Sequence, residues 1–315
     1  MITHALLTHR HSLIGWSAPG PVRAVLAGVA QIFFSPRALV GAGLLAAVAI
    51  ASPLTAALLL LGSAVQTAAG WLLRQRDLVP AGLMGYNGAL VGAVGAVALG
   101  PNALAVGFTI VGAFSCAPLH VVAARVFATR LLRPLRLPVL TIPFCTVAGA
   151  QITLLSDHVS FPAVQEVHDL MPGLAIGFFK GISTVMLTDS ALTGLLLLGI
   201  VAAGSRWVAA FAALGSALAV VWMLLTTGTA ALGSTGIPGF SPVLAAIAVG
   251  MILWPERTLP VRVIGAVCAA ITALVLHPIV AATPIPVFTW PFITGTITVL
   301  TVDGLTRALR PTRPV

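Results

Sequence analysis

Inside the apolar stretches of this chain, His120, Cys145 and Asp189 are the side chains that could act as base, nucleophile or acid. They fall on different segments with no shared spacing. Covalent or acid–base catalysis needs its groups within hydrogen-bond reach of one another. No paired acids, Ser/His arrangement or metal set accompanies them, so the chain is not expected to be an enzyme. Cys116, Cys145 and Cys268 form no C-x-x-C and meet no paired histidines; they read as small core residues, and neither a metal site nor a cofactor is expected. What remains is the chemistry of neutral hydrogen-bonding groups. Leu137-Pro-Val-Leu-Thr-Ile-Pro-Phe144 returns as Ile285-Pro-Val-Phe-Thr-Trp-Pro-Phe292, 148 residues later, with Pro, Val, Thr, Pro and Phe retained. Each copy carries one threonine, whose hydroxyl can donate and accept without bearing charge.

Two further pairs keep nearly the same offset. Gly85-Tyr-Asn-Gly-Ala-Leu90 answers to Gly239-Phe-Ser-Pro-Val-Leu244, and Gln31-Ile-Phe-Phe-Ser-Pro-Arg-Ala-Leu-Val-Gly41 to Thr184-Val-Met-Leu-Thr-Asp-Ser-Ala-Leu-Thr-Gly194. Three landmarks in the same order identify an internal duplication.

The elements that must position these residues belong in a bilayer. Hydrophobic residues make up 59% of the chain and charged ones 7%, with mean hydropathy +1.09, too little polar surface to cover a soluble core. Apolar stretches suited to helical spans cover 22–51 (long, with a break), 54–73, 83–99, 103–124 and 138–155, then 181–204, 208–232, 236–253, 259–282 and 285–302. Transmembrane strands would alternate over about ten residues, so the fold is expected to be an all-α integral membrane bundle. The expected organisation is an amino-terminal segment 1–20, a first repeat 21–160, a linker 161–180, a second repeat 181–304 and a basic tail 305–315. No signal-peptide pattern opens the sequence.

The formal charge of +9 and pI near 11.4 have a membrane explanation. Of the sixteen basic residues, all but Arg37 and Lys180 fall before or at the start of span one, in or beside alternate loops, or after span ten. The loop between the halves carries Asp157, Glu166 and Asp169 instead. This asymmetry puts both termini in the cytoplasm. No aromatic-interleaved basic run accompanies it, so nucleic acid is not an expected partner.

Five spans per copy is an odd number, so the second copy enters the bilayer from the opposite face and the repeats are inverted. Such pairs bring equivalent residues together near the midplane, which favours a solute pathway. Ser35-Pro36-Arg37 interrupts the first span and Thr188-Asp189-Ser190 interrupts its counterpart. Each triplet reads as a helix start, with Ser35 as N-cap and Pro36 at the first helical position, and with Thr188 or Asp189 as the second cap. Arg37 and Asp189 are charges inside spans and therefore candidate functional residues. Gly88, Gly92 and Gly95 leave one helix face nearly bare for close packing.

These residues resemble the urea transporter family. Gly82-Leu-Met-Gly-Tyr-Asn-Gly-Ala-Leu-Val-Gly92 is similar to that family's Gly-Leu-x-Gly-aromatic-Asn-Gly-x-Leu-x-Gly signature. Both Leu/Ile-Pro-Val-x-Thr-x-Pro-Phe segments resemble its second hallmark. Gly28-Val-Ala-Gln31 and Gly181-Ile-Ser-Thr184 resemble the openings of its two halves. The resemblance implies ten transmembrane helices plus two half-membrane pore helices, a homotrimer in the cell (plasma or inner) membrane, and one passive, cofactor-free urea pore through each protomer. Carried onto matching positions, Tyr86 and Phe240 become slot aromatics, with Phe34 and Leu187 as further slot walls. Thr141 and Thr289 become the central constriction, lined also by Ile32, Val185, Leu90 and Leu244. Gln31 becomes a polar group near one slot, while Thr184 stands where the family usually carries Gln or Glu. Ser241-Pro242 and Pro36-Arg37 depart from the pattern as well.

Urea is flat, neutral and densely hydrogen-bonding, so removing its water without replacement costs several kcal/mol. Apolar and aromatic walls accept its face while carbonyls and threonine hydroxyls meet its edge, in several weak sites rather than one deep one. The alternative on the same fold is a channel for ammonia, water or short amides, to which the changed Thr184 and Ser241 point. Ion-coupled transport would have to rest on Asp189 or Asp303.

Overall fold

The computed structural model describes residues 20–161, 170–227 and 239–308. The expected amino-terminal segment, Glu166 and Asp169 of the linker, and Arg310 and Arg313 of the tail lie outside the described residues. Among the described residues every regular element is helical. The first half contains α1 (Gly20–Ala30), α2 (Ala38–Ala51), α3 (Pro53–Leu72), α4 (Tyr86–Leu99), α5 (Ala103–Phe127) and α6 (Ile142–Leu154). The second contains α7 (Leu170–Ser183), α8 (Ala191–Gly204), α9 (Arg206–Thr227), α10 (Phe240–Ile247), α11 (Leu259–Ala281) and α12 (Trp290–Ala308).

Helices α3, α5, α9 and α11 are long and apolar enough to cross a membrane, and the bent pairs α1–α2 and α7–α8 raise the number to six if each pair is one span. The stretches expected as spans at 83–99, 138–155 and 236–253 form shorter apolar helices, Tyr86–Leu99, Ile142–Leu154 and Phe240–Leu253. At 1.5 Å per residue these reach roughly 20 Å, short of a hydrocarbon core of about 30 Å. Residues 83–85 and 138–141, apolar enough to read as helix, form the turns that precede α4 and α6.

The two halves repeat local construction in detail. α1 and α7 each end in one tight 3-10 turn, Gln31–Phe33 and Thr184–Met186. A left-handed residue follows each turn, Phe34 at φ 56° and Leu187 at φ 54°, and the chain then bends by 72° and 71°. Ser63 on α3 donates its hydroxyl to Val25 O, as Ser216 on α9 does to Phe178 O. With no hydrophobic drive between helices in lipid, such hydrogen bonds and close backbone approach hold the bundle. A Cβ placed at Gly41 or at Gly194 would fall 1.9 Å from the carbonyl oxygen of Leu26 or of Phe179. The halves meet where α2 lies against α8 and where α6 meets α12.

The breaks fall where the polar triplets predicted them, but their caps differ. Arg37 is the residue before α2, with no side-chain cap, because Ser35 and Pro36 remain in the connecting segment and the helix begins two residues later. In the second half, Thr188 donates to Ser183 O and Asp189 is taken by Lys180, so Ser190 caps α8 by accepting from Thr193 N–H. The cysteine expectation needs one correction: Cys116 and Cys145 are buried, but Cys268 lies exposed on the outer face of α11. Lipid is as apolar as a protein core, so an apolar segment does not reveal which of the two its small residues face.

The glycine stripe on α4 makes the contact expected of it. A Cβ at Gly92 would sit 1.9 Å from Leu58 O, whereas one at Gly107 on α5 would meet nothing within 4 Å. Gly92→Ala should therefore destabilise the protein by about 1–3 kcal/mol through overpacking, and Gly107→Ala should not. Thermal unfolding of the two detergent-purified variants checks this; equal melting temperatures would refute the contact.

Candidate functional site

The site is built where two helix starts face each other. Leu140 at φ 50° and Phe288 at φ 33° turn the chain in the left-handed region immediately before α6 and α12. Pro143 and Pro291 occupy the second residue of each helix, where a missing N–H costs nothing. The turns bring Thr141 and Thr289 together: their hydroxyl oxygens are 2.6 Å apart and share one hydrogen bond. Both residues are buried to the same degree. Each α-helix start carries the equivalent of about half a positive charge, so two partial positive ends converge here.

The environment of the pair is not symmetric. Cys145 lies one turn beyond Thr141 on α6, with its Sγ 3.0 Å from Thr289 Oγ1. The residue four after Thr289 is the apolar Ile293. Cys145 is thus a core residue, as the sequence implied, but one with a polar contact at the centre of the site. Its four-residue spacing from Thr141 was the available signal, and only a partner from the other half gives that spacing meaning.

Asn87 is a second residue whose part emerges only in three dimensions. The Tyr86 hydroxyl donates to Leu140 O, and Asn87 Nδ2 lies 3.5 Å from the same oxygen. Asn87 Oδ1 accepts from Phe144 N–H at 3.1 Å. Asn87 therefore fastens the start of α4 to the start of α6, satisfying a backbone donor that the first turn of a helix leaves open. At the equivalent second-half positions Phe240 has no hydroxyl, and the buried Ser241 hydroxyl has no partner among the described residues.

The remaining expected residues divide as follows. Ile32, Val185, Leu90 and Leu244 are each 3% exposed and share one apolar core with Tyr86, Phe144 and Phe292. The helices bearing Leu90 and Leu244 pack on the turns bearing Ile32 and Val185. Phe34, Leu187 and Phe240 pack against that core as partly buried residues. Rings cross between halves: Phe34 meets Phe292 edge-on at 6.3 Å, and Phe144 meets Phe288 at 5.1 Å. The Tyr86 ring stands edge-on to His120 at 6.4 Å. Gln31 is buried and donates from Nε2 to Ala81 O at 2.7 Å. Thr184, its counterpart, donates backwards along its own helix to Lys180 O at 2.9 Å. Gln31 and Thr184 thus occupy separate helix breaks, while Thr141 and Thr289 are in direct contact.

The charged candidates are paired. Arg37 Nη1 donates to Gly204 O at 2.5 Å, joining the start of α2 to the end of α8. Asp189 forms an ion pair with Lys180 at 3.0 Å. Among the described residues no group of three His, Cys, Asp or Glu side chains is placed to hold a metal ion.

Asn87→Ala should cost about 1–3 kcal/mol, the penalty for stranding the buried Phe144 N–H. Ser241→Ala should be neutral or slightly stabilising, since the lost hydroxyl leaves no partner behind. Thermal unfolding distinguishes the two substitutions, and equal effects would contradict the asymmetry.

A family model described as "Urea transporter" matches residues 22–304. Urea transporter 1 of Capra hircus is 26% identical over 297 residues, covering 87% of this chain and 74% of that protein. Urea transporter 1 of Ovis aries is 26% identical over 301 residues, and that of Rattus norvegicus 27% over 297, with the same coverage.

Proposed function

We propose that this protein, which belongs to the urea transporter family, passes urea across the membrane passively, through a pore in each protomer narrowed by Thr141 and Thr289. The observation that carries this reading is the 2.6 Å contact between hydroxyls held at equivalent places in a duplicated motif. Residues 21–160 and 181–304 then act as two inverted repeats with ten membrane crossings in all, assembled as a homotrimer in the cell membrane with both termini cytoplasmic. The recurrence of the two bends, at 72° and 71°, supports the repeat.

The chemistry of the passage follows from neutrality. Urea must exchange water for protein hydrogen bonds, and a hydroxyl pair offers acceptors for its N–H groups and a donor for its carbonyl oxygen. Neither hydroxyl holds a charge that would bind too tightly to release. The starts of α6 and α12 add two partial positive ends at the same point. These favour the urea carbonyl and oppose any cation. Phe34, Tyr86, Leu187 and Phe240 form the walls of flanking slots that admit the flat face of the molecule, with Gln31 as a polar group beside the first. Ile32, Val185, Leu90 and Leu244 close the apolar sides of the constriction.

Reconstituted into liposomes, the protein should raise urea permeability above that of empty vesicles without any ion gradient; permeability at the empty-liposome level would sink the reading. Thr141→Val combined with Thr289→Val should lower urea flux roughly tenfold, the value of about one hydrogen bond at the barrier. Tyr86→Ala should lower urea flux or admit larger amides, because it removes a wall and the donor to Leu140 O. Thr184, with its hydroxyl turned to Lys180 O, favours a second reading in which short amides, ammonia or water pass as well. A panel of urea, formamide, acetamide and water in the same vesicles separates the two.

A further inference from the structure

Between α5 and α6 the first half carries chain that the second half lacks. The end of α11, Ala281, follows the end of α5, Phe127, by 154 residues, whereas Thr289 follows Thr141 by 148. The extra residues therefore lie in the loop 128–141, whose counterpart 282–289 is shorter and holds no charged residue. The turn into the duplicated motif thus forms without them. They are nonetheless shaped: Arg133–Leu135 make a 3-10 turn, and Arg136 follows it at φ 52°. Arg133 and Arg136 are exposed, and neither side chain has a hydrogen bond or ion pair among the described residues.

The turn is docked on the end of α12. A Cβ at Gly304 would fall 3.3 Å from Leu135 Cα, so the two backbones touch. Next to Gly304, Asp303 accepts from Arg257 at 2.5 Å through one oxygen and from Arg307 through the other. One carboxylate therefore holds two guanidinium groups, and Arg133 and Arg136 flank the residue packed beside it. Arg307 Nε, shielded from solvent, has no partner among the described residues. Glu256 is the other acid on these segments, and it is exposed; the arginines remain in excess. Their place is the rim of the bilayer: α5 and α11 are long and apolar enough to cross it, the loop begins where α5 ends, and Arg257 stands just before α11. Leu131, Val302 and Leu305, beside the arginines in sequence, are exposed large apolar residues.

We propose that Arg133, Arg136, Arg257 and Arg307 form a site for the phosphate group of an anionic membrane lipid. Guanidinium forks match phosphate oxygens through paired, charge-assisted hydrogen bonds. Asp303 fixes two of the forks in place and offsets part of their charge, while the extra loop supplies the two that are free. The exposed apolar side chains favour a lipid over a soluble anion, since they lie among acyl chains while the arginines reach the headgroup. Basic groups at this depth attract anionic lipid. A lipid held here ties the loop leading to Thr141 to the helix that follows Thr289. The inference needs only the membrane location of the chain, not the identity of its solute.

The test is lipid retention by the detergent-purified protein, read by native mass spectrometry in titrations with phosphatidylglycerol and with phosphatidylcholine. The wild type should hold one phosphatidylglycerol about tenfold or more tighter than phosphatidylcholine. Arg133→Gln/Arg136→Gln changes two exposed side chains without partners, so the protein should melt like the wild type and lose that preference. Arg74→Gln/Arg76→Gln removes the same charge from another exposed loop and should keep it. Equal retention of both lipids by the wild type overturns the proposal. Equal loss in the two double variants also overturns it, by showing diffuse charge in place of a site. Inorganic phosphate that displaces the lipid at equal concentration does so as well, by assigning the arginines to a soluble anion.

Discussion

The structure depends on how backbone groups released by broken helices are satisfied inside an apolar solvent. A helix that stops within the bilayer leaves carbonyls and N–H groups that lipid cannot serve, each costing several kcal/mol if left alone. Here the cover comes from neighbouring segments. Leu140 O, freed by the turn before α6, receives the Tyr86 hydroxyl, and Phe144 N–H is accepted by Asn87. Ala81 O, in the loop before α4, receives Gln31 from the first break. The same side chains that make an interrupted helix tolerable are therefore those nearest the candidate path. Their burial answers a stability requirement, and under the proposed function a transport requirement as well.

Duplication solves the problem of building two such breaks, but the two solutions have diverged. The backbone is nearly the same in both, as the left-handed turns and the Ser63 and Ser216 hydrogen bonds attest. The polar side chains are not. Tyr86 and Asn87 face Leu140 in the first half, whereas Phe240 and an unpartnered Ser241 stand in the second. Backbone geometry is enforced by close contacts such as those at Gly41 and Gly194, where no side chain fits. Polar side chains in the breaks are held by single hydrogen bonds of about 1 kcal/mol, which is a weaker constraint. Divergence has accumulated where the energetic constraint is small.

The legible part of this chain was what repeats or what lipid forbids. Polar triplets inside apolar runs marked the breaks, because a bilayer tolerates such residues only where a helix is interrupted. The duplicated Pro-Val-x-Thr-x-Pro-Phe marked Thr141 and Thr289, which the fold brings into contact. What the sequence did not carry was competition between partners. Thr188 and Asp189 read as caps until Ser183 and Lys180 are seen to occupy them, leaving the work to Ser190. Cys145 read as packing because its polar partner lies 144 residues away. The inward or lipid-facing side of Cys268 could not be told from an apolar surround, which is the same on both.

The distribution of charge completes the physical picture. At the meeting point of α6 and α12 the polar groups are hydroxyls, a thiol and helix starts, with no full charge among the contacts made there. Full charges lie away from this point, and those at the breaks and near the end of α12 have partners: Lys180 with Asp189, Arg37 with Gly204 O, and Asp303 between Arg257 and Arg307. A neutral solute gains little from a strong field but loses speed to any deep site. In the proposed pathway, a narrow centre made of weak donors and acceptors, with stronger groups held back from it, would let a dehydrated amide cross without being trapped. In that proposed pathway the two converging helix starts at the centre would oppose a cation while leaving a dipolar solute free to reorient.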